Sequence, residues 1–245
     1  MDYEPQEVRF SLVGLLDKYL EDNNEKRELK GFNASGMGHC FLERYWERQG
    51  KEKDDLESRK LRVFEVGNII HEFLQNVAKQ ATNIKVLECE SELQLDGFIF
   101  GHPDLLIEVD GKLILYDIKT VHSKKFHYSV NPRKGNPQDD LGYIAQLHTY
   151  ALMLSEKYPR LVDCRILYVS KDDLCMAEKA YPFTEYARNT VLKEINKLKE
   201  MWEKQEEPQA IPQEDWQCNY CGFQSKCPSG QIALQKKAGK GVVEL

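Results

Sequence analysis

At 245 residues, the chain is long enough to bury a full hydrophobic core. Hydrophobic content of 41% and charged content of 30% describe a water-soluble globular protein, and no apolar run approaches the ~18 residues of a membrane span. The formal net charge of −6 argues against a passive nucleic-acid binder with a basic surplus, but not against an acidic metal site that acts on nucleic acid.

The predicted elements begin with a helix within 6–30, where Val8, Leu12, Leu15, Leu16 and Tyr19 follow near-helical spacing. A Gly/Ser/Asn break follows over 31–38. A second helix starts at Ser35 to Gly38 and carries Cys40, Leu42, Tyr45 and Trp46. Residues 50–60 are densely charged and read as a solvated connection. Residues 61–80 form a stronger helix with Val63, Val66, Ile70, Phe73, Leu74 and Val77. Three strands are expected at about 84–95, 98–109 and 112–120. Residues 122–138 lack periodicity and are basic, aromatic and broken by Pro and Gly. Asp139 or Asp140 is placed to cap a helix running to about Lys157. A strand at 163–170, another at 174–183 and a long helix at 184–205 come next, then a cysteine-rich stretch at 216–228. The fold class is α/β, with a core ordered helix, three strands, helix, strand. Helical additions stand at both ends.

The chemistry concentrates around Asp110-Gly111, a strong signal for a two-residue type I′ hairpin turn. With those two residues as the turn, Asp104 falls opposite Asp117. Like charges directly opposed on a ladder destabilise it, so a cation belongs between them, and a divalent metal held by oxygens fits best. Lys119 is two residues past Asp117 and shares its face. Residues 112–118 are apolar on both faces, which marks a central strand where charges are seldom left unpaired. Two carboxylates, a metal and a lysine can split a phosphodiester with a metal-activated water.

Other residues join this set by position. His71 becomes a nitrogen ligand if its helix passes the carboxylates; alone it reads as an ordinary helical histidine. Glu90 and Glu92 alternate with Cys89 and Ser91 on the first strand, where one reaches the site or both face solvent. Gln146 and Tyr150, four apart on a helix, position a nucleotide or Lys119, or form a half-buried face. In the basic stretch, Lys124, Lys125, Arg133 and Lys134 are set to meet phosphates, with Phe126 or Tyr128 to stack on bases. The alternative is a solvated loop.

Seven cysteines without a secretion signal indicate metal or redox use and a cytoplasmic protein. Cys218 and Cys221 form a Cys-x2-Cys pair, and Cys227 follows after five residues. Cys40 is the best fourth soft ligand, with His39 beside it the weaker one. Cys89, Cys164 and Cys175 sit in expected strands and read as small core residues. Four thiolates hold either zinc or an iron–sulfur cluster, and either would join the two ends of the chain.

Taken together, the Gly67-x3-His71 helix, Gly101-x2-Asp104, Asp117-x-Lys119, the Gln146-x3-Tyr150 helix and the split cysteines resemble the PD-(D/E)xK nuclease superfamily. The likeness is to its RecB-like branch with a four-cysteine iron–sulfur cluster, which includes CRISPR-associated exonucleases. The resemblance covers Cys40 to Cys227 and implies a restriction-endonuclease-like core. It implies that His71, Asp104, Asp117 and the Ile118 carbonyl bind Mg²⁺ or Mn²⁺. Lys119 orients or polarises the attacking water, and Gln146 and Tyr150 contact substrate. Cys40, Cys218, Cys221 and Cys227 hold a structural [4Fe–4S] cluster, with zinc the alternative. Asp117 stands where many relatives have Glu.

The expectation is a single nuclease domain over 1–245, with a catalytic core at 61–170 and a helical, cluster-bearing region at 1–60 and 184–245. It is expected to be an exonuclease on single-stranded DNA ends. The rivals are an endonuclease on structured or duplex DNA, and a non-catalytic DNA-binding or assembly subunit. No helicase is attached, so a motor would be a separate partner, either a helicase or a recombination or adaptation protein.

Overall fold

The computed structural model describes residues 11–24, 29–131, 140–212 and 215–239. Helix α1 (Leu12–Asp22) opens on Ser11, whose hydroxyl accepts the Gly14 amide. A short strand β1 (Phe32–Asn33) and one 3₁₀ turn (Ala34–Gly36) precede helix α2 (Phe41–Arg48), with Cys40 at its N-cap. Helix α3 (Ser58–Gln80) leads into β2 (Lys85–Glu88), β3 (Leu93–Leu95), β4 (Ile99–Gly101), β5 (Leu105–Val109) and β6 (Lys112–Val121). Helices α4 (Ser123–Val130) and α5 (Leu141–Leu154) come next, then β7 (Asp163–Ser170), β8 (Met176–Ala180), α6 (Glu185–Lys204) and α7 (Pro228–Gly239).

The main sheet has the order β2-β5-β6-β7-β8. Strands β6 and β7 are parallel and the other pairs antiparallel, so the two-sided apolar segment is central, as its pattern requires. One face buries Leu106, Leu115, Ile166 and Tyr168 against Leu147, Ala151 and Leu154 of α5 and Val191, Ile195 and Leu198 of α6. The other face packs Leu105, Ile107 and Ile114 near Ala78 at the end of α3. The hairpin has the expected register, with Leu105 opposite Tyr116 and Val109 opposite Lys112. Its turn residues Asp110 (φ 49°) and Gly111 (φ 73°) both take the positive φ of a type I′ turn.

Several expectations are corrected. The first two strands are each broken, and the pieces go to different sheets. Strands β3 and β4 join β1 in a three-stranded sheet, while β2 and β5 stay in the main one. A bulge between Val86 and Glu88, the positive φ of Glu90 (52°) and Pro103 turn the chain out and back. Residues 123–130, expected as irregular, are helical because the His122 ring accepts the Lys124 amide and Asp172 accepts the Ser123 amide at 2.7 Å. Asp140 does not cap α5 with its side chain; it binds Lys125 and Ser129 instead. Residues 50–57 are not a loose connection. Asp54 accepts the Ser225 amide at 2.8 Å and donates its own amide to the Gly222 carbonyl. Cys175 is exposed rather than core, whereas Cys164 is fully buried. The apolar stripes of α1 and α3 face outward: Leu12, Tyr19, Ile69 and Phe73 are more than half exposed. Arg133, Lys134 and Asp139 lie outside the described residues.

Candidate active site

Two glycines set the distances on which the site depends. A Cβ on Gly67 would stand 3.0 Å from Thr120 Oγ1, so glycine lets α3 approach β6 and brings His71, one turn on, over the sheet end. A Cβ on Gly101 would stand 2.7 Å from the Tyr150 ring and 2.9 Å from Ala34, so glycine there admits Tyr150.

Asp104 precedes β5, opposite Asp117 by continuation of the hairpin register. Its Oδ2 accepts the Ile118 amide at 2.5 Å, and its Oδ1 lies 3.5 Å from His71 Nδ1. Asp117 is buried, its side chain 1% exposed, with Oδ2 2.7 Å from Lys119 Nζ. That contact is an ion pair without hydrogen-bond geometry, and among the described residues neither Asp117 oxygen accepts a hydrogen bond. Lys119 instead donates to Gln146 Oε1 at 2.8 Å, and Gln146 donates on to the Tyr150 hydroxyl at 3.2 Å. Burial pushes the Asp117 carboxyl up to about 6, with Asp104 adding to it against the pull of Lys119. Burial opposes charge on Lys119 too, but Asp117 and Asp104 outweigh it and raise its pKa. Tyr150 is held protonated by burial and the nearby carboxylates.

A buried carboxylate whose oxygens accept no hydrogen bond is costly, and with Asp104 also near, the single ammonium of Lys119 leaves room for a further cation. The donor set beside Asp117 is oxygen-rich with one imidazole, a chemistry that suits Mg²⁺ or Mn²⁺. His71, Glu90 and Asp104 each offer a ligand atom within 4.8 Å of the others. The sequence reading weighed Glu90 without assigning it, and missed Gln75 and Tyr143. Gln75 is one turn past His71, and Tyr143 begins the face that carries Gln146 and Tyr150. The Tyr143 ring centre is 5.1 Å from Lys119 Nζ and 5.7 Å from Lys125 Nζ.

The basic stretch divides. Lys124 is exposed and Tyr128 half exposed, both on α4. Phe126 packs on the main core instead of presenting its ring to solvent. Lys125 Nζ lies 2.9 Å from Asp140 Oδ1, an aspartate only 4% exposed, so this lysine is engaged within the fold.

Cys40, Cys218, Cys221 and Cys227 line one cavity, walled by Leu42, Trp46 and Phe223. Trp46 meets Phe223 edge-on at 5.4 Å, so α2 and the C-terminal segment share a small core. Among the described residues, no three cysteine sulfurs lie within 4.8 Å of one another. Burial, with Glu43 beside it, pushes the Cys221 thiol up to about 12, so a thiolate there needs a cation.

The family model described as the PD-(D/E)XK nuclease superfamily matches residues 15–228. The crystal structure of SSO0001 is similar over 89% of this chain and 95% of that one, with 24% identity and a TM-score of 0.56, a likeness of fold. Weaker likenesses reach LHK-Exo from Laribacter hongkongensis in complex with dAMP (14% identity, 88% and 96% covered, TM-score 0.49). A phage-related exonuclease from Haemophilus somnus 129PT follows (12% identity, 58% and 70% covered, TM-score 0.43). No curated protein matches the chain. Among the described residues, no helix is long and apolar enough to cross a membrane.

Proposed function

Because this chain belongs to the PD-(D/E)XK nuclease superfamily, we propose that it is a metal-dependent DNA nuclease, an exonuclease that works on single-stranded ends. One observation carries the reading. Asp117 is buried, one step along the register from the Leu105–Tyr116 pair and so toward Asp104, its oxygens accepting no hydrogen bond among the described residues, beside a charged lysine. A binding module has no use for such a site, which destabilises the metal-free fold.

Asp104, Asp117, His71 and the Ile118 carbonyl are the residues to hold Mg²⁺ or Mn²⁺. When bound, such an ion supplies a water of lowered pKa and neutralises charge on the scissile phosphate. The chain's own residues do the rest. Lys119 keeps its proton, and Asp117 and Gln146 fix its ammonium, so it donates to the attacking water or a phosphate oxygen without reorganising. Tyr150, protonated and hydrogen-bonded to Gln146, holds that amide so that its oxygen accepts from Lys119. Lys124 and Tyr128 on α4 offer a phosphate contact and a stacking surface to a single strand.

For the cysteine cavity the reading is a structural [4Fe–4S] cluster held by Cys40, Cys218, Cys221 and Cys227, with zinc the alternative. Four thiolates on one zinc at about 2.3 Å would stand about 3.8 Å apart, and among the described residues no three of these sulfurs lie within 4.8 Å of one another, so either group needs the thiols to draw in. A cubane spreads its ligands over a larger body. The single domain spans 1–245, with the catalytic core at 61–170 and the cluster joining the two ends.

The test is anaerobic protein with end-labelled single-stranded, duplex and circular single-stranded DNA, with Mn²⁺ or EDTA. Expected is stepwise, metal-dependent release of nucleotides from linear single strands, with circles spared. Cleavage of circles would make the enzyme an endonuclease. Binding without any cleavage would favour the non-catalytic subunit.

A further inference from the structure

Glu90 has no part in the set that the sequence motifs assemble, yet its backbone and side chain are fixed at the site. It follows the β2 bulge with φ of 52°, a left-handed conformation that a residue with a Cβ seldom adopts. Three contacts hold it there. Its amide donates to the Pro103 carbonyl at 2.9 Å, one residue before Asp104. Its own carbonyl lies 3.1 Å from His102 Nδ1. Its carboxylate accepts from Gln75 Nε2 at 2.7 Å. Gln75 is 6% exposed, and the same nitrogen lies 3.3 Å from the Asp104 carbonyl. One buried amide therefore ties Glu90 to the backbone of Asp104. The result is a carboxylate oxygen within 4.8 Å of ligand atoms from both His71 and Asp104.

We infer that Glu90 is a metal ligand, completing with His71 and Asp104 a cation position on the solvent side of the Asp104–Asp117 pair. Two independent observations point to a cation here. The first is this convergence of imidazole and carboxylates. The second is Asp117, buried near enough to feel the charges of both Asp104 and His71, its oxygens accepting no hydrogen bond among the described residues and facing one ammonium, that of Lys119. The exposure of Glu90 suits the role, because Mg²⁺ and Mn²⁺ keep several waters and need an open side. Asp104 is the shared residue, with Oδ1 toward His71 and Oδ2 on the Ile118 amide. Gln75 is a positioning residue that aims Glu90 and touches no reacting atom. The imidazole in the set favours Mn²⁺ over Mg²⁺.

The inference rests on the metal-dependent reading, and its test separates the two. The full-length protein, free of DNA, is titrated with Mn²⁺. Free Mn²⁺ is read by electron paramagnetic resonance, and thermal unfolding is followed in parallel with and without the metal. Glu90→Gln should weaken Mn²⁺ binding at least tenfold and remove most of the Mn²⁺-induced rise in melting temperature. Its melting temperature in EDTA should match wild type. Glu90→Asp should recover part of the affinity, and Gln75→Met should lose an intermediate amount. Mn²⁺ affinity in Glu90→Gln within twofold of wild type overturns the assignment. A fall in its EDTA melting temperature with Mn²⁺ affinity intact makes Glu90 structural only, which also overturns it. Wild type that binds Mn²⁺ through Glu90 yet cuts no DNA sinks the nuclease reading and leaves this assignment standing. Wild type that cuts DNA while Glu90→Gln binds Mn²⁺ normally does the reverse.

Discussion

Lys119 donates a 2.8 Å hydrogen bond to Gln146, a residue on the helix that covers the sheet. The contact joins the strand that carries Asp117 to the helix that carries Tyr150, so Lys119 is held from two sides. Lys119→Ala should lower the cleavage rate by at least about 10²-fold, the scale of losing one preorganised donor. It should leave Mn²⁺ affinity near wild type. Asp104→Ala and Asp117→Ala should abolish cleavage and weaken Mn²⁺ binding as well. Gln146→Ala should reduce kcat more than it raises KM, since it loosens the lysine rather than removing it. Wild-type-like cleavage by folded Lys119→Ala would remove the lysine from the mechanism.

The two neighbouring lysines of α4 should separate in their effects. Lys125→Ala leaves the carboxylate of Asp140, 4% exposed, without its nearest cation, keeping among the described residues Ser129 at 3.0 Å and Lys179 at 3.9 Å. It should lower unfolding stability by about 1–3 kcal/mol. Lys124→Ala should leave stability alone and lower the log–log salt slope of single-strand binding by about 0.7. Equal stability losses in the two variants would argue against this division.

His148 gives a stability signature in acid. Burial lowers its pKa below the ordinary 6.5, against a hydrogen bond to the Tyr181 carbonyl. The unfolded chain therefore takes up this proton at a higher pH than the folded one. The stability linked to His148 is full above about 6.5 and is lost as pH falls below that toward the folded value. Melting temperatures across pH 5 to 7.5 should fall less steeply on acidification in His148→Gln than in wild type. Parallel curves would show that His148 does not contribute.

Anaerobically purified protein should carry about four irons and four sulfides per chain. Cys40→Ala, Cys218→Ala, Cys221→Ala or Cys227→Ala should each lower cluster content and stability, because a metal site contributes to folding. Cys175→Ala, at an exposed position, and Cys164→Ala should keep full iron. One zinc and no sulfide would assign the cavity to zinc.

The apolar residues of α3 offer a direct check on burial. Phe73 is 62% exposed, so Phe73→Gln should change unfolding stability by no more than about 0.5 kcal/mol. Leu106, fully buried in the sheet, should cost about 2–5 kcal/mol as Leu106→Ala. Urea denaturation of the two variants decides. A large loss at Phe73 would mean that its face is covered in solution.

The sequence alone determined what depends on near neighbours. Asp110-Gly111 selects its turn, the turn selects the register, and the register puts Asp104 opposite Asp117. Two-sided apolarity placed β6 at the centre of the sheet, and spacing by two put Lys119 beside Asp117. The tertiary structure decided everything set by residues far apart in the chain. A periodic apolar stripe says that a helix forms, but not which face finds a partner, and the stripe of α3 faces out while Gly67 and Gln75 face in. A lysine in a basic run looks like a phosphate contact until a folded partner such as Asp140 takes it. Glu90 alternates along a strand like any surface carboxylate. Only a bulge, a positive φ and the Gln75 amide, arriving from a helix fifteen residues earlier, turn it toward His71 and Asp104. Local pattern encodes conformation through short-range sterics and hydrogen bonds, whereas a site is an intersection of distant segments that packing alone brings together.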